Sequence, residues 1–87
     1  MTNTTDTALR SLLSDVLSLA PARAAALTAD SGLFGAMPEL DSMAVAGLLT
    51  EIEDRFDIVI DDDEVDGDML GTYGDLLGYI SRKLGEA

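Results

Sequence analysis

The sequence has no histidine, no cysteine and no tryptophan, and only two prolines and five basic residues in a length of 87. Each shortage excludes something. Without cysteine there is no disulfide framework, no thiolate metal site and no cysteine nucleophile. Without histidine the usual general base at neutral pH and the commonest metal ligand are missing. The five basic residues face seventeen acidic ones, a formal net charge of −12. That balance excludes a nucleic-acid backbone as partner and disfavours anionic membrane surfaces. It favours a basic protein partner or a cation. No apolar run approaches membrane-spanning length, and the polar, threonine-rich first ten residues do not resemble a signal peptide. A cytoplasmic protein with no membrane insertion is the expectation.

Apolar residues make up 47% of the chain, too many for a disordered acidic polymer. One domain is expected over residues 1–87, with its core in about 5–84. A chain this size buries about 60–68% of its unfolded surface, which leaves little room for an enclosed catalytic pocket. The charge is uneven. Residues 1–29 hold two acidic and two basic residues, whereas residues 30–87 hold fifteen acidic and three basic ones. The densest run is Asp61 to Asp68, with six acids in eight residues.

Periodicity points to an all-α bundle. Leu9, Leu12, Leu13, Val16 and Leu17 lie on one helical stripe. Thr4, Thr5 or Asp6 can cap its start, and Pro21 predicts a stop near Leu19. A long connection, about residues 20–40, follows. Ala22 to Leu27 can form a short helical turn there, and Leu33, Phe34 and Met37 are expected to pin the rest to the core. A second helix is expected from Ser42 to about Phe56, capped by Asp41. Val45, Leu49, Ile52 and Phe56 form its inner stripe, with Leu48 on the flank, and Met43, Gly47, Thr50 and Asp54 face outward. Ile58 to Ile60 is a short β-branched run. Asp61 to Leu70 reads as a short third helix with Val65 and Met69 at i, i+4. A last helix begins at Thr72, with Asp75 in a capping-box position. Its stripe is Tyr73, Leu76, Leu77, Ile80 and Leu84. The prediction is three main helices plus one short helix, with a long loop between the first two.

Few groups can carry chemistry. An EF-hand frame started at Asp62 supplies Asp62, Glu64, Asp66 and Gly67 at the first ligand positions, but the position of the bidentate glutamate falls on Tyr73. The run therefore reads as a solvated acidic face rather than a dedicated metal site, and a weak cation-binding module is the alternative function. Ser42 opens a helix, where free N–H groups and the helix dipole favour an anion such as a phosphodiester. Beside it stands Met43, a flexible apolar residue on the outward face. A serine at a positive helix end, in an acidic domain without a catalytic base, points to a residue modified by another protein.

These residues resemble the acyl carrier protein family. Asp41-Ser42-Met43 is similar to the family's Asp-Ser-Leu signature, with Met for Leu. Glu51-Ile52-Glu53-Asp54-Arg55-Phe56 is similar to the end of its acidic second helix. Ile60 with the acids after it, Thr72 and Tyr79-Ile80 match the remainder, so the resemblance covers about residues 5–84.

The resemblance implies that Ser42 carries 4′-phosphopantetheine, transferred from coenzyme A by a phosphopantetheinyl transferase. The thiol of that arm would hold an acyl group for separate loading and processing enzymes. It implies a carrier rather than an enzyme, working as a monomer. Partner contacts with basic docking patches would fall at Asp41, Met43, Thr50, Glu53 and Asp54. An acyl-chain cavity would be lined by Leu49, Ile52 and Phe56. The family spans fatty acid biosynthesis, polyketide biosynthesis and aminoacyl loading. Gly47, where fatty-acid carriers usually have glutamate, Arg55 and the longer segment after the second helix mark a specialised carrier. Met37-Pro38-Glu39-Leu40 resembles carriers associated with bacterial exosortase loci. A bundle that shares this shape but serves another interaction is the competing reading.

Self-repulsion among so many like charges should limit stability at low ionic strength. The melting temperature is expected to rise by several degrees between about 10 mM and about 500 mM NaCl, as screening shortens the range of the repulsion. An unchanged melting temperature in a salt series would remove this account.

Overall fold

The computed structural model describes residues 4–85. Its elements are α1 (Thr4–Leu17), α2 (Pro21–Ala25), α3 (Ser42–Phe56), a 3₁₀ turn (Asp62–Glu64) and α4 (Tyr73–Lys83). Helix α1 is the hub, packing against α2, α3 and α4. Leu9, Leu12, Leu13 and Leu17 are buried along it, as their spacing requires, with Val16 partly buried at the edge. Thr4, Thr5 and Asp6 lie inside the helix rather than capping it. The helix ends at Leu17, two residues before the expected stop. Ser18 takes a left-handed conformation, φ 57°. The Ser14 hydroxyl donates to the Leu19 carbonyl, and the Leu19 N–H returns to the Ser14 carbonyl at 3.1 Å. Pro21, freed from ending α1, starts α2, where its missing N–H costs nothing.

The inner face of α3 is rotated from the expected stripe. Leu48 and Ile52 are fully buried, while Val45, Leu49 and Phe56 are only partly covered. Leu48 and Ile52 belong to the core shared with α1, whereas Val45 lines a cleft described below. On α4 the buried set is Tyr73, Leu76, Tyr79 and Ile80. Leu84 is 37% exposed, because it falls beyond the last helical residue. Thr72 caps α4, its hydroxyl accepting from the Asp75 N–H at 3.1 Å.

The segment after α3 departs most from expectation. Residues 58–60 form no strand. Asp57 leaves α3 in the left-handed region, φ 54°, and the Glu53 carboxylate accepts from the Ile60 N–H at 2.8 Å. Residues 61–70 form one 3₁₀ turn and further turns instead of a short α-helix. Acidic side chains capture N–H groups that a helix would need: Asp66 accepts from Met69 N–H at 2.9 Å. That is the usual competition of short carboxylates with helical bonding. Met69 and Leu70 are nevertheless buried.

The long first loop is laced to the approach of α4. The Leu33 and Phe34 N–H groups donate to the Gly71 and Leu70 carbonyls, and the Tyr73 and Gly74 N–H groups donate to the Ser31 and Ala29 carbonyls, all at 2.8–3.0 Å. Gly32 and Thr72 form an isolated antiparallel bridge at the centre. The close approach needs glycine: a Cβ on Gly74 would stand 2.9 Å from the Ala29 oxygen. Leu33 and Met37 anchor the loop as expected, but Phe34 is 41% exposed.

A polar clamp joins three helices. Arg10 Nε pairs with Asp6 at 3.0 Å, its Nη1 donates to the Ala24 carbonyl at 2.8 Å, and its guanidinium lies 4.7 Å from the centre of the Tyr73 ring. The Tyr73 hydroxyl donates to the Asp6 carboxylate. Burial, and then the hydrogen bond to Asp6, push the Tyr73 hydroxyl pKa up, so it remains a donor at neutral pH. Tyr73→Phe removes a donor to a charged acceptor and should cost about 1.5–2 kcal/mol in urea denaturation.

Candidate functional site

Ser42 is placed by what precedes it. Met37 and Leu40 are both buried, and their N–H groups bond back to the Leu33 and Met37 carbonyls at 2.8 and 3.0 Å. Arg23 of α2 pairs with Glu39 and ties the same stretch to the first loop. That pairing holds the Glu39 carboxyl below its ordinary range. The chain therefore leaves the core at Leu40 and turns into α3 at a fixed point. Asp41 is extended, φ −92° and ψ −178°, and its Oδ1 accepts from the Ala44 N–H at 2.8 Å. The first intrahelical bond runs from Val45 N–H to the Asp41 carbonyl. Ser42 and Met43 precede it, so their N–H groups have no acceptor within the helix. Ser42 is exposed, and Met43 is 86% exposed.

Beside Ser42 opens a cleft of about 320 Å³. Phe34, Val45, Val65, Asp66, Gly67 and Leu70 line it together with Ser42. Its lining is largely apolar. Leu49, Ile52 and Phe56, expected to line an acyl-chain cavity, are not among its residues. They lie seven to fourteen residues past Ser42, about 10–21 Å down the helix axis. Phe34, Val65, Gly67 and Leu70 were missed as lining residues, because they come from separate segments and no periodic window joins them. The signal available was an aromatic residue in a glycine-flanked loop, Gly32 to Gly35.

The other expected contact residues divide. Thr50 and Asp54 are exposed on the outer face of α3 with Met43 and Gly47, although the Thr50 hydroxyl bonds the Ala46 carbonyl. Glu53 is half-buried and holds Ile60 N–H. Arg55 does not project freely. It pairs with Asp15 of α1 at 3.0 Å and lies 3.9 Å from Glu51. Beyond Asp41, the outer face of α3 thus carries no charge until Asp54.

The comparisons agree with this geometry. The family model described as a phosphopantetheine attachment site matches residues 7–80. The chain belongs to the acyl carrier family. A curated acyl carrier protein of an Exiguobacterium species is 43% identical over 44 residues. That match covers 51% of this chain and about half the length of the relative, 53%. The solution structure of a holo acyl carrier protein from Nitrosomonas europaea superposes with a TM-score of 0.84 at 41% identity, covering 98% of this chain and 100% of that one. The all-α fold of an acyl carrier is therefore that of this chain. Among the described residues, no helix is long and apolar enough to cross a membrane.

Gly47 has no structural need for glycine, since a Cβ there would meet nothing within 4 Å. Gly47→Ala is expected to stabilise the protein by about 1 kcal/mol, read from the denaturation midpoint.

Proposed function

We propose that this protein is an acyl carrier whose Ser42 hydroxyl is the attachment point for 4′-phosphopantetheine. The observation that carries the reading is the placement of Ser42: exposed, first in α3, and at the mouth of an apolar cleft. The surroundings fit the group. The N–H groups of Ser42 and Met43 and the positive end of α3 favour a phosphodiester at Ser42 Oγ. Phe34, Val45, Val65 and Leu70 offer an apolar wall to an acyl chain. When bound, the group supplies a thiol that holds acyl chains as thioesters.

The chain's own residues orient; they do not catalyse attachment. The Asp41 carboxylate is committed to the Ala44 N–H, and no histidine exists to take the Ser42 proton. Removal of that proton falls to a separate phosphopantetheinyl transferase, which delivers the group from coenzyme A. The transferase and the acyl-loading and acyl-processing enzymes dock through basic patches at Asp41, Met43, Thr50 and Asp54. Charge at the two ends of the face steers encounter, while Met43 supplies an apolar contact. Glu53 shapes this surface indirectly, by holding the segment after α3. The protein works in the cytoplasm as a monomer, and the cleft accepts an apolar cargo of fatty acyl or polyketide type.

The test is intact mass after incubation with coenzyme A and a promiscuous phosphopantetheinyl transferase. One added phosphopantetheine is expected on the native chain and none on Ser42→Ala. No addition to the native chain, or addition that survives in Ser42→Ala, overturns the assignment.

A further inference from the structure

The cleft beside Ser42 has a volume of about 320 Å³. At about 30 Å³ for a group of water or methylene size, that is room for roughly ten such groups. Two of its lining residues differ from the pattern of the rest of the fold. Gly67 brings no side chain to the lining. Elsewhere glycine serves the backbone: Gly74 has no space for a Cβ, and Gly35 is left-handed at φ 89°. Neither need exists at Gly67. It lies outside the left-handed region, and a Cβ there would meet nothing within 4 Å. The turn around it is held by a bond that passes over it, from Met69 N–H to the Asp66 carboxylate at 2.9 Å.

Phe34 is the opposite case. Its ring is 41% exposed and lies outside the buried core, yet it lines the cleft. Its N–H donates to the Leu70 carbonyl at 2.9 Å, so two lining segments distant in sequence are tied together there. One cleft is thus lined by an aromatic ring that the core does not bury and by a glycine that the fold does not require.

We propose that Gly67 sets the length of acyl chain that the cleft shelters, and that Phe34 is the wall against which such a chain lies. This deepens the Ser42 assignment above and rests on it. The room available matches a chain of about eight to ten carbons. Gly67→Leu adds an isobutyl group, which would take up nearly half of that room. A short chain would still fit, whereas a medium chain would be turned out into water.

The test loads the full chain from butyryl-, octanoyl- and dodecanoyl-coenzyme A with a promiscuous phosphopantetheinyl transferase. Intact mass reads the loading. Thermal melting reads the shelter, because a chain buried only in the folded state stabilises that state. The octanoyl form should melt at least about 4 °C above the butyryl form, which is what one buried methylene gives in a domain this size. Dodecanoyl should add less than about 2 °C more, since the cleft is then full. Gly67→Leu should abolish the octanoyl gain and leave the butyryl form unaffected, and Gly67→Ala should lose part of that gain. Methyl NMR shifts at Val45, Val65 and Leu70 should accompany octanoyl loading and vanish in Gly67→Leu. Phe34→Ala should lower the gain at every length, and a gain untouched by it overturns the role of the ring. Failure to add any acyl mass overturns the Ser42 assignment and this inference with it. Full loading with an unchanged length profile in both Gly67 variants, or with equal loss at every length, overturns this inference alone. Circular dichroism of the unloaded variants checks the fold, and Gly67→Ala carries the test if Gly67→Leu does not fold.

Discussion

The apolar stripe of Leu9, Leu12, Leu13 and Leu17 on α1 is the surface against which α2, α3 and α4 all pack. A chain of 87 residues buries too little area for several independent cores, so one shared face has to serve every element. The polar clamp follows from this arrangement. Arg10 and Asp6 stand at the edge of that stripe and reach α2 and α4 at once. Burying one tyrosine hydroxyl there is tolerable because it has a charged acceptor, and the arginine beneath its ring keeps three helices in register.

Helix α3 is buried along one side only. Its inner side is short, with only Leu48 and Ile52 fully buried. Its start is fixed by local bonds at Asp41 and by the buried Leu40 just before it. Its outer side, with Met43, Gly47, Thr50 and Asp54, is left exposed. The lack of histidine and cysteine is then coherent with the architecture: a carrier presents a hydroxyl in a fixed place, and other proteins do the chemistry. Charges at the two ends of α3 are already used inside the fold, by Asp41 for the cap and by Arg55 for Asp15.

What the sequence revealed follows the range of the forces involved. The limits of α3 were legible because its cap acts over three residues, from Asp41 to Ala44. The α1 stripe was legible because helical periodicity reports burial directly. The end of α1 was not, since Ser18 and the Ser14 hydroxyl set it, and Pro21 turned out to begin a helix. The 61–70 segment was misread as helical because its acids look like good solvent-facing helix residues. In the fold their carboxylates bond nearby N–H groups and hold a 3₁₀ turn. The cleft was least legible. Phe34, Val45 and Leu70 meet only through loop lacing that no local pattern announces.

The bond between Tyr73 and Asp6 closes a separation of 67 residues, and the lacing of residues 29–34 waits on residues 70–74. On a ribosome, α1 emerges first but finds its last packing partner only when α4 has left the exit tunnel. Until then the part of the α1 stripe that α4 covers stays exposed, although α2 and α3 are already available to cover the rest. Because the wall of the Ser42 cleft includes Leu70, a truncated nascent chain presents the serine without its surroundings. The fold thereby makes emergence of the segment up to Leu70 a condition for completing the cleft beside Ser42.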